Sequence, residues 1–224
     1  MDSETTSVID YSVNGKSHAE NNQGDKVVAW FQLNSASLNY GLWVKLFSNE
    51  SGWDSEATKM NTLVSMVSAV SSAIDENGNA LLVWRQKGEV GNNTDIWANY
   101  YDAQAGAWNG AELIESRSSA TNDPIVMISD NSFVVVWPQF DTSANSNRSI
   151  VGNRFDKESG TWQGLLELDQ AGTLVDSDYL QVGSDHLGNL IMVWAQKDDN
   201  DNYQIMTSNY NPLYEPASGS SWVL

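Results

Sequence analysis

Twenty-nine aspartates and glutamates in 224 residues supply carboxylates for almost any acid–base chemistry. Cleaving a glycosidic bond takes two of them about 5 to 10 Å apart, and at this density chance pairs are certain, so the acids by themselves discriminate nothing. The remaining reactive types are scarce. With no cysteine there are no disulfides, thiolate metal sites or cysteine nucleophiles. The two histidines, His18 and His186, lie in or beside turns, with no nucleophile-elbow pattern nearby. Asp198, Asp199 and Asp201, in the run Asp198 to Asn202, offer the oxygen ligands that calcium takes. The run lacks the Gly and terminal Glu of an EF-hand, and a solvated acidic loop is the competing reading. Gln32, Gln86, Gln139 and Gln196 each follow a tryptophan by two residues. They read either as a ring of amides around a ligand or as hydrogen bonds tying each following loop to its own sheet. Arg85 stands beside Gln86, and Trp43 and Trp97 share a column that Val151 and Met206 fill elsewhere. Those two tryptophans are packing residues or sugar-recognition aromatics. These seven side chains are the ligand-binding candidates.

What must position them is a repeat. Leu81-Leu82-Val83-Trp84-Arg85-Gln86 has counterparts at Val27 to Gln32, Val134 to Gln139 and Ile191 to Gln196, and the tryptophans fall 54, 53 and 57 residues apart. A period of that size marks a supersecondary unit that needs neighbours to bury its apolar surface. Downstream, Leu42, Ile96, Ile150 and Ile205 open a second apolar run that closes on Phe47, Tyr101, Phe155 and Tyr210. Trp53, Trp108, Trp162 and, later, Trp222 follow turns rich in Asp, Asn and Gly, a hairpin signal. Turns also precede each repeat tryptophan, and before them come the β-rich segments 13–20, 67–74, 124–129 and 179–183. Each copy therefore reads as four strands, A to D. Ala-rich 65–73, the best helical competitor, falls on strand A.

Strand B of these copies is apolar on both faces, as in Ala80 to Trp84 and Phe133 to Trp137, so each small sheet must be covered on both sides. Four-stranded antiparallel sheets sandwiched in tandem describe the blades of a β-propeller. The expected fold is all-β: one propeller domain over 1–224, with blades at about 10–60, 61–118, 119–171 and 172–224 plus 1–9. Residues Thr5 to Ile9 fall in the column of a closing outer strand, so the ring is expected to close through the N-terminal strand. The chain is then a monomer, one of two copies sharing an eight-bladed ring, or an excerpt of a longer array.

A net charge of −18 repels phosphate backbones and anionic lipid, which argues against nucleic acid as a partner. No run approaches the roughly 18 apolar residues of a membrane span, so no membrane insertion is expected. High acidity with little lysine fits an extracellular or cell-surface protein.

The turn Phe155-Asp156-Lys157-Glu158-Ser159-Gly160-Thr161-Trp162 and its partner Tyr101 to Trp108 resemble the Asp-box hairpin of sialidase-like propellers, lying between the third and fourth strands of a blade. The longer pattern is similar to repeats of secreted or surface bacterial proteins of largely unassigned function. The Asp to Gly spacing is longer here than in the Asp-box. A sialidase resemblance implies three arginines clamping a carboxylate, a tyrosine nucleophile with a glutamate, and an acid/base aspartate. The four arginines, Arg85, Arg117, Arg148 and Arg154, include none in the first repeat.

The turns repeat while the loops 33–40, 87–95, 140–149 and 197–204 differ in length and charge. Variation on one side of a rigid scaffold is how loops specialise. The first expectation is accordingly a non-enzymatic binding or adhesion module for a carbohydrate or protein ligand, needing no cofactor unless calcium. The alternatives are a sialidase-like glycoside hydrolase and a structural spacer of a larger surface protein.

Overall fold

The structure is a computed structural model and describes residues 16–34, 39–61, 66–87, 94–115, 119, 121–140, 148–168, 174–185, 187–198, 200, 202–210 and 222–223. They fall into two compact units, Met1–Leu113 and Ile114–Leu224, each carrying two of the repeats. No helix occurs among the described residues, and the sheets are antiparallel meanders apart from one parallel bridge, Arg148 to Leu174, which joins the third and fourth repeats in one sheet.

In the first unit, β1 (Lys16–Glu20), β2 (Lys26–Asn34), β3 (Asn39–Ser48) and β4 (Gly52–Trp53) lie side by side in chain order, and β5 (Thr58–Lys59) also pairs with β3. The second repeat forms β6 (Val67–Ile74), β7 (Ala80–Lys87), β8 (Thr94–Asp102), β9 (Ala107–Trp108) and β10 (Glu112–Leu113) in the same arrangement. In the second unit, β11 (Ile125–Ser129), β12 (Ser132–Phe140), β13 (Arg148–Asp156) and β14 (Thr161–Glu167) build the third repeat. The fourth has β15 (Leu174–Ser184), β16 (Leu190–Lys197), β17 (Tyr203–Tyr210) and β18 (Trp222–Val223). The Ala-rich segment is strand β6: three of its eight residues are β-branched, and Val67, Val70 and Ile74 join the core shared with the first repeat.

In the second repeat the fourth strand is divided into the two short pieces β9 and β10. Gly110 lies between the two pieces at φ 111°, its N–H donating to Asn99 Oδ1 at 3.0 Å, a bond that Gly164 repeats with Asn153 within β14. Strand A of the fourth repeat is longer than expected and bulges between Asp176 and Gln181. The segment Thr5–Ile9 lies outside the described residues.

Within each unit the core is one sheet face laid on the next. Val27, Ala29 and Phe31 of β2, with Leu42, Val44 and Leu46 of β3, pack with Ala80, Leu82 and Trp84 of the following repeat. Val134, Val136 and Ile150 do the same with Leu190, Met192 and Trp194. Burial explains the doubly apolar strands: Ala80 to Trp84 and Phe133 to Trp137 are at most 4% exposed throughout.

Candidate functional site

The two ends of the strands use their polar residues differently. At the turn ends, carboxylates are committed to backbone. Asp75 Oδ1 accepts the N–H groups of Asn77 and Asn79, both at 2.9 Å, and Asp185 Oδ1 holds Leu187 and Asn189 in the same way. Asp102 Oδ1 takes Gln104 and Ala105; Asp156 Oδ1 takes Ser159, whose backbone N–H is the main cause holding this carboxyl below its ordinary value. Each C-to-D hairpin then closes on a ring pair, Phe47–Trp53, Tyr101–Trp108 and Phe155–Trp162, with centroids 5.3 Å apart in all three. A cleft of about 500 Å³ between the turns of the first two repeats is lined by Asp25, Lys26, Glu50, Asp54 and Tyr101. Asp25 is used twice there, by Asn49 N–H and by the Asn21 amide, and Asp54 Oδ2 takes Leu46 N–H at 2.9 Å. These groups hold turns together.

At the loop ends, the four recurrent glutamines share one geometry. Each Oε1 accepts the indole hydrogen of the tryptophan two residues before it, at 3.2 to 3.3 Å. Residues i and i+2 of a strand point the same way, so the spacing of two lets the amide reach the ring. The third repeat extends the chain of bonds. Gln139 is fully buried, and its Nε2 donates to Glu115 Oε2 at 3.0 Å and to Ser119 Oγ at 3.1 Å. Thr121 and Ser149, also buried, lie beside it, Thr121 bridged to Gln139. Two carboxylates are buried among the described residues, Asp75 at 4% and Glu115 at 5% exposure. Asp75 is consumed by its turn, whereas Glu115 belongs to a side-chain network at the loop end.

The column containing Glu115 does not require a charge. In the first repeat it holds Asn61, a buried neutral amide whose Oδ1 accepts Leu42 N–H at 2.8 Å. Sequence reasoning passed over Glu115 and Ser119. The available signal was an acid directly after the apolar residue that ends strand D, in the series Met60-Asn61, Ile114-Glu115, Leu168-Asp169.

The other sequence candidates are dispersed. Arg85 Nε donates to Ser68 Oγ at 3.1 Å, next to Ala69, a buried alanine at φ 49° in the bulge that opposes Arg85 and Trp84. Trp43 and Trp97 are partly buried; Trp97 faces Trp84 across the ladder, and its indole N–H is buried with no hydrogen-bond partner among the described residues. Asp198 Oδ1 accepts Asn200 and Asn202 N–H, which lower its carboxyl, and Oδ2 accepts the Gln204 amide. Asp198 therefore acts as a turn cap here; Asp199 and Asp201 lie outside the described residues. No cluster of three or more His, Cys, Asp or Glu suited to a metal occurs among the described residues.

Neither a protein family nor a curated protein matches the sequence. Solved structures match the fold. The GH93 α-L-arabinofuranosidase of Fusarium graminearum, in complex with arabinobiose, aligns at TM-score 0.54 and 9% identity over 88% of this chain and 62% of its own. A PL25 ulvan lyase bound to -[GlcA(1-4)Rha3S]- aligns at 0.58 and 11% over 95% and 57%. A Hadza microbial sialidase aligns at 0.56 and 14% over 93% and 45%. The chain thus spans between 45% and 62% of the lengths of these three proteins. They correct the expectation of a non-enzymatic binding or adhesion module: the architecture these repeats build is one on which carbohydrate-cleaving sites are mounted, and every protein named is such an enzyme. The glycoside hydrolase alternative is the better supported of the expectations. At these identities the likeness is one of fold alone, and the fold is that of a sialidase-like β-propeller.

Proposed function

We propose that this chain acts on carbohydrate as a glycosidic-bond-cleaving enzyme, each repeat serving as one propeller blade, with the loop ends as the substrate side and Glu115 in the proton-transfer role. The observation that carries the reading is the buried Glu115–Gln139–Ser119 network, which joins a carboxylate to an amide and a hydroxyl at the loop end. A carboxyl steadied by an amide that is itself pinned to Trp137 keeps one orientation, which general acid–base catalysis requires. The glycan-cleaving enzymes that share the fold favour the same conclusion, and an extracellular setting goes with it. The varied loops, rather than the Asp-box-like turns, select the glycan.

The test is a panel of arabinosides, sialosides and ulvan, the linkages named for the matched enzymes, followed by release of reducing or unsaturated ends. Turnover of at least one substrate is expected, falling about 100-fold or more in Glu115→Gln, the range a lost general acid or base costs. A chain that cleaves none of them, or a Glu115→Gln variant as fast as the parent, overturns the proposal.

A further inference from the structure

The fourth repeat leaves open a face that the other three bury. Side chains opposite each other across an antiparallel pair share a face, so Ile191, Val193 and Ala195 of β16 lie with Asn209, Thr207 and Ile205 of β17, and Lys197 lies with Tyr203. Val27, Leu81 and Val134, in the column of Ile191, are 0%, 0% and 4% exposed, and Leu42, Ile96 and Ile150, in the column of Ile205, are all 0%. Ile191 and Ile205 themselves are 47% and 71% exposed, and Tyr203, two residues before Ile205 on the same strand, is 58% exposed. The apolar residue type is retained while its cover is missing.

The chain itself shows what covers this column. In both units the face carrying Val27 and Leu42, or Val134 and Ile150, is closed by the tryptophan face of the following repeat. The first repeat presents the same tryptophan face. There Val28 and Trp30 are only partly buried, whereas Leu82, Trp84, Val135 and Trp137 are fully buried in the same columns. Charge points the same way. Lys26 and Lys45 stand on that first face where Ala80, Phe133 and Leu190, and Asn99, Asn153 and Ser208, stand in the others. A lysine there meets an acidic chain of net charge −18, and Asp185 flanks the hollow of about 480 Å³ beside Ile191 and Asn209 on the fourth repeat.

We propose that the open face of the fourth repeat is an interaction surface for a second copy of this chain, docking head to tail through the tryptophan face of its first repeat. Such a contact is heterologous, and one that closes at two copies gives a discrete dimer rather than a filament. The contact repeats chemistry already present twice within the chain and needs no new kind of packing.

The experiment is the solution mass by light scattering and sedimentation equilibrium. The parent chain, 24.7 kDa, is expected at twice that mass. Ile205→Lys, at a solvent-exposed site in the lone chain, and Val28→Glu are each expected at the mass of one chain, with the parent's far-UV circular dichroism and a single cooperative melt shifted down only by the lost association. Mixed together they should associate one to one, because one sound fourth-repeat face then meets one sound first-repeat face. A parent that stays monomeric, an Ile205→Lys variant that associates like the parent, or a mixture that stays monomeric while the parent is dimeric overturns the head-to-tail contact.

Discussion

Replacing Trp84 by alanine should be among the most damaging single changes this chain can suffer. The ring is 0% exposed and sits against Leu82 and the first repeat's apolar face. A tryptophan buries about 150 to 250 Å², worth roughly 4 to 6 kcal/mol at about 25 cal/mol per Å², which is an upper estimate because the unfolded chain already buries part of it. Measured aromatic truncations cost about 3 to 5 kcal/mol. The substitution also strips Gln86 Oε1, in a side chain 2% exposed, of its indole donor, and an acceptor left unpaired adds about 1 kcal/mol or more. The expected loss is therefore about 4 to 6 kcal/mol. Trp30→Ala removes the same ring from the same column, but from a face only partly covered, and should cost about half as much. Urea unfolding followed by far-UV circular dichroism, with the slope checked for a single transition in each variant, measures both. A Trp84 loss under about 1 kcal/mol, or a Trp30 loss equal to it, would refute the sandwiched-sheet reasoning.

Further outcomes follow from the turns. Burial, then Asp102 and Asp75, pushes the Tyr100 phenol up to about 12 from 10.0; the unfolded chain then binds fewer protons above pH 10, so stability present below pH 10 is lost as pH rises toward 12. Tyr100→Phe should flatten that alkaline limb in melts taken across the window. Asp156, lowered chiefly by Ser159 N–H, works in the opposite sense: its contribution is present above the ordinary aspartate value and lost as pH falls through its own, and Asp156→Ala should shallow the acid limb. Gly188 has φ +78°, and a Cβ there would meet Asp130 N at 2.5 Å, whereas Gly52 at φ +83° has open space around it. Gly188→Ala should cost about 2 kcal/mol or more, and Gly52→Ala about 1 kcal/mol, in paired thermal melts.

Much of this architecture is legible in the sequence, for a physical reason. A sheet covered on both faces must be apolar at every position of its inner strand, so Ala80 to Trp84 and Phe133 to Trp137 declare both strand and sandwich at once. The turns are equally readable, because positive φ selects glycine at Gly106 and Gly160 and a bonded carboxylate selects Asp102 and Asp156. The site is less legible. Whether Gln139 binds a ligand or its own tryptophan depends on a 3.2 Å contact that spacing alone does not determine. Glu115 looks like any of 29 acids until the fold carries Gln139 onto it from 24 positions away. The expectation of a non-enzymatic module came from loops that vary while the turns repeat, a pattern that a binding scaffold and an enzyme share.

The most direct test of the proposed chemistry is chemical rescue at position 115. Glu115→Ala, folded by its melting curve, should lose cleavage of whichever glycan the parent turns over, and added formate should restore part of the rate by supplying a small carboxylate in the vacated space. A Glu115→Ala variant that cleaves the glycan as fast as the parent, with or without formate, would contradict the assignment.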